Sequence, residues 1–254
     1  MEYDEISVES SDRGVTIVLD RPEKKNALTG TTFAEIGDAV ETAVADGDTG
    51  VVTIRGAGGD FSAGVDLNNV PGWIDQKPLE VREQLEEIHE VLDLLETVDV
   101  PVVAALEGYV LGGALELAIS CDLRVATRDA TFGLPESKLG LAINYGGAQK
   151  LPGLIGEGMT KRLIMTGENI DAGRAHEIGL VEELVDGDEL DDAVTRLERT
   201  LAEKPRYVHG FAKRQVRSVR PPTVEEGMQQ AIHHAIAAYQ EEETQQRSLE
   251  ALDE

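Results

Sequence analysis

Residues 101–120, which read PVVAALEGYVLGGALELAIS, decide the fold class. A run of β-branched and small apolar residues, Val102–Leu106, follows Pro101 and predicts a buried strand. The apolar stretch Gly112–Ser120, which opens on a glycine pair, predicts a helix. A buried strand that leads through a glycine turn into a helix is typical of parallel α/β architecture.

The chain on both sides of this stretch continues the alternation of strands and helices. Apolar residues recur at helical spacing from Phe33 to Val44 and from Val81 to Leu95. The predicted strands are Ile6–Glu9, Val15–Leu19, Val51–Arg55 and Leu123–Ala126. This order predicts a sheet with parallel strand pairing.

Beyond about Gly146 the strand signal fades, and the pattern predicts mostly helices. They are Leu151–Ile164, Ala172–Ile178, Leu190–Leu201 and Val224–Glu250. The last one carries an apolar stripe, formed by Val224, Met228, Ile232, Ile236 and Tyr239. This stripe either packs on the chain's own core or joins it to another subunit. We expect a core over residues 1–195 and a C-terminal helical oligomerisation region over residues 196–254.

The composition is strongly acidic. Asp and Glu number 49 against 23 Lys and Arg, which gives a net charge of −26 over 254 residues. Such a surface repels phosphate backbones and anionic lipid, so we expect neither nucleic acid nor a membrane as a partner. A salt-rich cytoplasm screens this self-repulsion, which favours a halophilic source over an ordinary acidic protein.

Two further features concern the compartment. The chain has no apolar run long enough to span a membrane, and its first ten residues, MEYDEISVES, lack the apolar segment of a signal peptide. Cys121 is the single cysteine, which excludes an intramolecular disulfide and a cysteine-based zinc site. The five histidines show no metal-binding spacing. We therefore expect a cytoplasmic protein.

Two glycine-containing stretches, Asp60–Leu67 and Gly108–Leu117, are candidates for a binding site. Glycine lets a ligand approach free backbone N–H groups, and those groups favour an anion or a developing oxyanion. The alternative is that each stretch is a tight turn that needs small residues for packing.

Two glutamates stand among apolar neighbours near these stretches. Glu116 lies in the helix that follows the second stretch, and Glu136 follows Pro135. Either one alone is a common charge at a helix start. If both converge on one water molecule, they can act as general base and general acid.

The sequence resembles the crotonase superfamily and, within it, the enoyl-CoA hydratase branch. The resemblance rests on several motifs in the family's order, which together span about residues 15–180. They are Arg21–Leu28, Phe61–Leu67, Pro101–Gly113, Glu116 with Cys121 and Asp122, Phe132–Glu136, and Gly146–Leu151.

The resemblance implies a crotonase-like α/β fold, a spiral of ββα units with a helical C-terminal region, assembled as homotrimers or hexamers. It implies an acyl-CoA thioester as substrate and no metal or redox cofactor. The N–H groups of Ala63 and Gly113 would form the oxyanion hole, and Glu116 and Glu136 would be catalytic. The implied substrate and CoA contacts are Lys24, Lys25, Ala27, Ala63, Gly64, Val65, Asp66, Leu67, Gly112 and Asn144.

The sequence departs from the family's pattern at three places. Asn144 stands where hydratases commonly carry the glycine whose N–H helps to position water, and the bulky Tyr145 follows it. Glu23 stands where a lysine near the CoA phosphates is common, which leaves Lys24 and Lys25 as candidates for that contact. The usual basic, aromatic C-terminal stretch is absent.

The expected reaction is addition of water to an enoyl-CoA to give a 3-hydroxyacyl-CoA. The alternatives are another crotonase-type reaction, chiefly isomerisation of the double bond, and a non-catalytic subunit that binds acyl-CoA. Two retained glutamates favour hydration over isomerisation. The oxyanion pair beside them argues against a non-catalytic subunit.

Overall fold

The computed structural model describes residues 3–45, 47–218 and 223–240, together with residues 242, 246 and 250. In chain order its strands are β1 (Ile6–Ser10), β2 (Gly14–Leu19), β3 (Val51–Gly56), β4 (Val102–Leu106), β5 (Tyr109–Leu111), β6 (Leu123–Thr127), β7 (Thr131–Gly133), β8 (Asn169–Asp171) and β9 (Glu183–Val185). Its helices are α1 (Gly30–Ala45), α2 (Val70–Asp75), α3 (Pro78–Thr97), α4 (Gly113–Ala118), α5 (Gly147–Ile155), α6 (Glu157–Thr166), α7 (Ala172–Glu177), α8 (Leu190–Ala202), α9 (Arg206–Ser218) and α10 (Thr223–Gln240).

The larger sheet confirms the predicted parallel pairing. Its strand order is β1-β2-β3-β4-β6-β9, and every pair is parallel except the hairpin of β1 and β2. The strand β4 lies inside this sheet and all five of its residues are buried, as its unbroken apolar sequence predicts. A smaller sheet joins β5, β7 and β8. Its first strand, β5, follows β4 in the chain and leads to the candidate site.

Helices α1 and α3 cover the sheet with the apolar faces that the sequence predicts. Phe33 and Ile36 on α1 and Leu92 and Leu95 on α3 are fully buried. Residues spaced three or four apart lie on one helix face, so each helix turns an apolar stripe inward.

The C-terminal half differs from the prediction in three ways. The predicted helix Leu151–Ile164 is interrupted at Gly156, whose φ of +78° ends α5 and starts α6. The short strands β8 and β9 were not predicted, because three residues are too few for a periodicity. The helix α9 was also missed.

The helix α10 packs on α2, α3 and α5 of its own chain. Its residues Ile232, Ala235 and Tyr239 are buried, so the apolar stripe covers the chain's own core. The side chain of Val224 and most of residues 241–254 lie outside the described residues. The boundary predicted at residue 195 falls within α8 and stays a prediction.

Candidate active site

The glycine pair Gly112 and Gly113 lies at the candidate site, where β5 ends and α4 begins. Gly112 adopts a φ of +54°, and a β-carbon built on it would lie 2.6 Å from Oε1 of Glu136. Only glycine meets both conditions. Gly113 is the first residue of α4, so its N–H has no acceptor within the helix.

Glu116 projects from α4 into the protein interior and is only 2% exposed. Its Oε1 atom accepts hydrogen bonds from the N–H of Tyr145 at 2.9 Å and from the N–H of Gly147 at 2.7 Å. Burial raises the pKa of the Glu116 carboxyl, and the two N–H donors and Lys150 oppose that rise. The backbone at the start of α5 therefore grips one oxygen of this carboxylate.

Glu136 lies in the short 3₁₀ turn Pro135–Leu139 after β7. Its Oε2 atom is buried and has no hydrogen-bond partner among the described residues. Burial raises the pKa of the Glu136 carboxyl, and the charge of Glu116 raises it further. A buried oxygen without a partner is rare in native proteins and marks Glu136 as a candidate functional residue.

Both glutamates line one cavity of about 110 Å³. Six other residues of the predicted site share this wall, and the remaining lining residues are apolar or aromatic. The predicted members are Ala63, Gly64, Val65, Leu67, Gly112 and Asn144, and the others are Trp73, Pro135, Leu139, Leu141, Ala142, Tyr145 and Tyr239. The cavity is mostly apolar and has a small number of polar groups, which is typical of a small-molecule site.

The predicted donor at Ala63 needs correction. Its N–H donates to the carbonyl oxygen of Lys25 at 2.9 Å and is therefore engaged. Leu28 pairs with the next residues: its N–H donates to Gly64 at 2.8 Å and its carbonyl accepts from Asp66 at 2.8 Å. This pairing leaves the N–H of the intervening Val65 without an acceptor among the described residues.

Val65 also lies against the second donor. A β-carbon on Gly113 would come within 2.8 Å of Cγ2 of Val65, so the two residues are in contact. Two unengaged N–H groups on adjacent backbone segments form a natural oxyanion site. The sequence signal was the motif itself, but only the pairing with Leu28 shows which of its N–H groups is available.

Asp66 does not line the cavity, against the prediction that it contacts substrate. Its carboxylate lies 3.0 Å from Nη2 of Arg21 and also accepts hydrogen bonds from Asn68. Burial acts to raise its pKa, but the bonds from Asn68 and Arg21 outweigh burial and lower it. Arg21 also donates to the carbonyl of Ala27 at 2.5 Å. Asp66 and Ala27 thus help to fix the backbone of the loop Phe61–Leu67, which we call the oxyanion loop after its predicted role.

Lys24 and Lys25 are exposed and lie outside the cavity wall. The ammonium of Lys25 lies 4.2 Å from the ring centroid of Tyr109, a cation–π contact. Lys25 is also the residue whose carbonyl accepts from Ala63. Lys25 therefore lies beside Ala63, with its side chain at the protein surface.

Sequence reasoning missed the aromatic wall of the cavity. The side chain of Asn144 hydrogen-bonds to the hydroxyl of Tyr239 from α10, and the Tyr239 ring lies 5.7 Å from that of Trp73 in α2. The carbonyl of Asn144 lies 2.5 Å from Nε2 of His89. These contacts join segments that are far apart in sequence, so no local pattern announces them.

The described residues show neither a membrane-spanning helix nor a cluster of metal ligands. No helix among them is long and apolar enough to cross a membrane. No group of three or more His, Cys, Asp or Glu side chains in that part of the chain is arranged to hold a metal ion.

Comparison with known proteins agrees with the geometry. Residues 11–254 match the family model described as "Enoyl-CoA hydratase/isomerase". A crotonyl-CoA hydratase of Syntrophomonas wolfei is 34% identical over 238 residues, which is 93% of this chain and 87% of that protein. A short-chain-enoyl-CoA hydratase of Clostridium acetobutylicum is 36% identical over 191 residues, 75% of this chain and 72% of that protein.

A solved structure shows the same architecture. The enoyl-CoA hydratase/isomerase from Xanthobacter autotrophicus Py2 superposes with a TM-score of 0.91 at 31% identity, covering 100% of this chain and 94% of that one. The molecule thus has the crotonase fold. The chain belongs to the enoyl-CoA hydratase/isomerase family of the crotonase superfamily, and this membership implies an acyl-CoA substrate.

Proposed function

We propose that this protein is an enoyl-CoA hydratase, which adds water across the α,β double bond of an enoyl-CoA thioester to give a 3-hydroxyacyl-CoA. The observation that carries the proposal is that Glu116 and Glu136 line one cavity in unlike surroundings. Hydration moves two protons, one from water and one to carbon, and so needs two groups of this kind. The named hydratases among the relatives support the same reaction.

The thioester oxygen would lie between the N–H groups of Val65 and Gly113. When water attacks Cβ, the π electrons of the double bond move through Cα toward this oxygen, which gains negative charge. Two N–H donors stabilise that enolate, and one such donor is typically worth roughly 3–4 kcal/mol of the barrier.

We assign the two glutamates different parts because their surroundings differ. Glu116 accepts two backbone N–H bonds, which favour its ionised form, so it takes the proton of the attacking water. Glu136 has a buried oxygen without a partner and a charged neighbour, so it holds its proton and delivers it to Cα. The new C–O and C–H bonds form as the C=C π bond is lost. After the reaction Glu116 carries a proton and Glu136 has lost one, so the enzyme holds the same number of protons as before. Proton exchange with solvent then returns each glutamate to its starting state.

The CoA moiety would leave the cavity along Gly64 and the oxyanion loop. Lys24 and Lys25 stand exposed beside that loop and are the proposed contacts to phosphate. On a chain with a net charge of −26, two adjacent lysines provide a local attraction for the anionic phosphates of CoA.

We also propose a homotrimer, or a hexamer of two trimers, in the cytoplasm. The helix α9 supports this, since it exposes Tyr207, Phe211 and Val216 by 61%, 54% and 67%. Apolar side chains grouped on one exposed helix are typical of a subunit contact. Sedimentation in high salt should show three or six subunits, and a monomer at micromolar concentration would exclude this assembly.

The test of the reaction is an assay of the purified protein with a panel of enoyl-CoA thioesters. Hydration and double-bond isomerisation are followed separately by product analysis. We expect 3-hydroxyacyl-CoA as the main product. Isomerised enoyl-CoA alone would replace the proposal with an isomerase, and tight binding without turnover would replace it with a non-catalytic acyl-CoA-binding subunit.

A further inference from the structure

A buried lysine lies behind the catalytic cavity. Lys150 belongs to α5, and its side chain is 5% exposed. Its ammonium lies 2.6 Å from Oε1 of Glu96 on α3 and 2.7 Å from Oγ of Ser120, just beyond α4. Lysine is almost never fully buried without a partner, because desolvating its charge is costly. The burial of Lys150 and its two contacts therefore suggest that it has a specific role.

The contacts of Lys150 lead to Glu116 by two routes. Ser120 Oγ, which accepts from Lys150, donates in turn to the backbone carbonyl of Glu116 at 2.8 Å. The same helix α5 begins at Gly147, whose N–H grips the Glu116 carboxylate. Lys150 thus ties the helix that carries Glu116 to the helix that holds its side chain.

We propose that Lys150, fixed by Glu96, is a positioning residue for Glu116, which it keeps ionised and correctly placed for the attack of water. The proposal rests on the function proposed above, in which Glu116 is the base. A positive charge in a poorly solvated interior acts on a nearby carboxylate more strongly than the same charge at the surface.

The charged and titratable groups around Glu116 oppose one another. Glu136, from the turn across the cavity, carries a charge of the same sign, and the phenol of Tyr145 is buried nearby. Lys150 acts in the other direction and lowers the pKa of Glu116. When the lysine charge is lost, burial and the charge of Glu136 should raise the pKa of Glu116 further.

The experiment is a carbon-13 NMR titration of the Glu116 carboxyl in the full-length protein, assigned with E116Q. In K150M we expect the proton affinity of Glu116 to rise by about three- to thirtyfold, as one interior charge at moderate distance would produce. The proton concentration at which kcat/KM for hydration falls to half of its maximum should decrease by the same factor, so the acid limb moves to higher pH. An unchanged Glu116 titration in a folded K150M variant would overturn the proposal.

A second buried lysine gives a matched control. Lys213 is 8% exposed, and its ammonium lies 2.6 Å from the carboxylate of Asp122, so K213M also removes a buried ion pair. Lys213 is not among the groups that shift the pKa of Glu116. K213M should lower stability and leave the Glu116 titration within about twofold of wild type. A shift equal to that of K150M would mean that any lost buried pair has this effect, and would overturn the assignment.

The variant E96Q tests the direction of the change in the proton affinity of Glu116. It also keeps the proposal testable if K150M does not fold. Removing the negative partner leaves the positive charge of Lys150 less compensated, so Glu116 should bind its proton more weakly, opposite to K150M. A titration that stays in place or moves upward contradicts the proposal. Failure of the hydratase function is a separate outcome, because the NMR titration is measured without substrate or turnover.

Discussion

Glu116 and Glu136 face the same cavity, but the protein holds them in different ways. The carboxylate of Glu116 is gripped by the backbone at the start of α5, whereas Oε2 of Glu136 is buried with no partner among the described residues. In the proposed mechanism these different surroundings give two chemically equivalent side chains opposite parts, base and acid. The comparison suggests the physical reason: backbone N–H donors favour the ionised form of Glu116, and Oε2 of Glu136 has no such donor among the described residues.

The largest expected effect comes from removing either charge. E116Q and E136Q keep the size of the side chain, so each should lower kcat for hydration by roughly 10²–10⁴ without unfolding the protein. Steady-state kinetics and circular dichroism measure the two quantities. Since the pair acts as a unit, E116Q/E136Q should lose much less than the product of the single losses. Near wild-type hydration by either single variant would refute the two-glutamate assignment.

A smaller effect should come from moving only one member of the pair. G112A places a β-carbon 2.6 Å from Oε1 of Glu136 and forces alanine into a φ of +54°, but it does not touch the donors of Glu116. We expect kcat to fall by roughly 10–100-fold, because a misplaced acid transfers its proton poorly. G153A is the control, since a β-carbon there meets nothing within 4 Å. Equal kinetics for G112A and wild type would show that the position of Glu136 is not critical.

The sequence predicts one side of this comparison better than the other. The strand β4 and the glycine turn into α4 follow from a local pattern, because an unbroken apolar strand leaves little choice of environment, whereas the sequence leaves open whether Glu116 lies on a solvated face or in a site. The donors to Glu116 come from residues 145 and 147, and that contact depends on how α5 docks. No periodicity encodes such a long-range fit.

The oxyanion loop shows the same limit at finer scale. The motif Phe61–Leu67 marked the right loop, but the choice of N–H depends on its pairing with Leu28, more than thirty residues earlier. Likewise, the stripe that ends at Tyr239 predicted an apolar helix, yet its contact with Trp73 at the cavity wall is a product of tertiary packing. Sequence patterns place segments, and packing then selects the atoms that face the substrate.

The pH dependence should separate the two glutamates. The pKa of each carboxyl is raised by burial, so hydration should fail at low pH as Glu116 gains its proton and at high pH as Glu136 loses its own. The acid limb of the kcat/KM profile should therefore lie above the range of an ordinary carboxyl. An acid limb near the ordinary value of about 4.3 would contradict the assignment of Glu116 as base.

Stability gives a further, modest contrast. A carboxyl whose pKa is raised on folding stabilises the protein below its unfolded pKa, and this stability is lost as pH rises through the folded pKa. E136Q abolishes that loss, so it should raise the unfolding midpoint at alkaline pH by a few degrees, at about 2–4 °C per kcal/mol. E116Q should gain less, because its two backbone N–H bonds lose the negative charge that strengthens them. A larger gain for E116Q would reverse the comparison.

The smallest effect on the pair should come from salt, although the whole molecule should respond strongly. With a net charge of −26, exposed acids repel one another, so the unfolding midpoint should rise between about 0.1 M and about 3 M KCl as the Debye length falls from ~10 Å to below ~3 Å. The two glutamates lie in the interior, where mobile ions screen little. Added salt should therefore move the two limbs of the pH–rate profile much less than it moves the pKa of a surface carboxyl. Thermal unfolding and kcat/KM profiles at both salt concentrations measure the two responses. An equal or higher midpoint in low salt would refute the salt requirement. A large displacement of the acid limb by salt would show instead that the cavity is open to ions, and that surface charge, rather than the backbone grip on Glu116, sets its protonation.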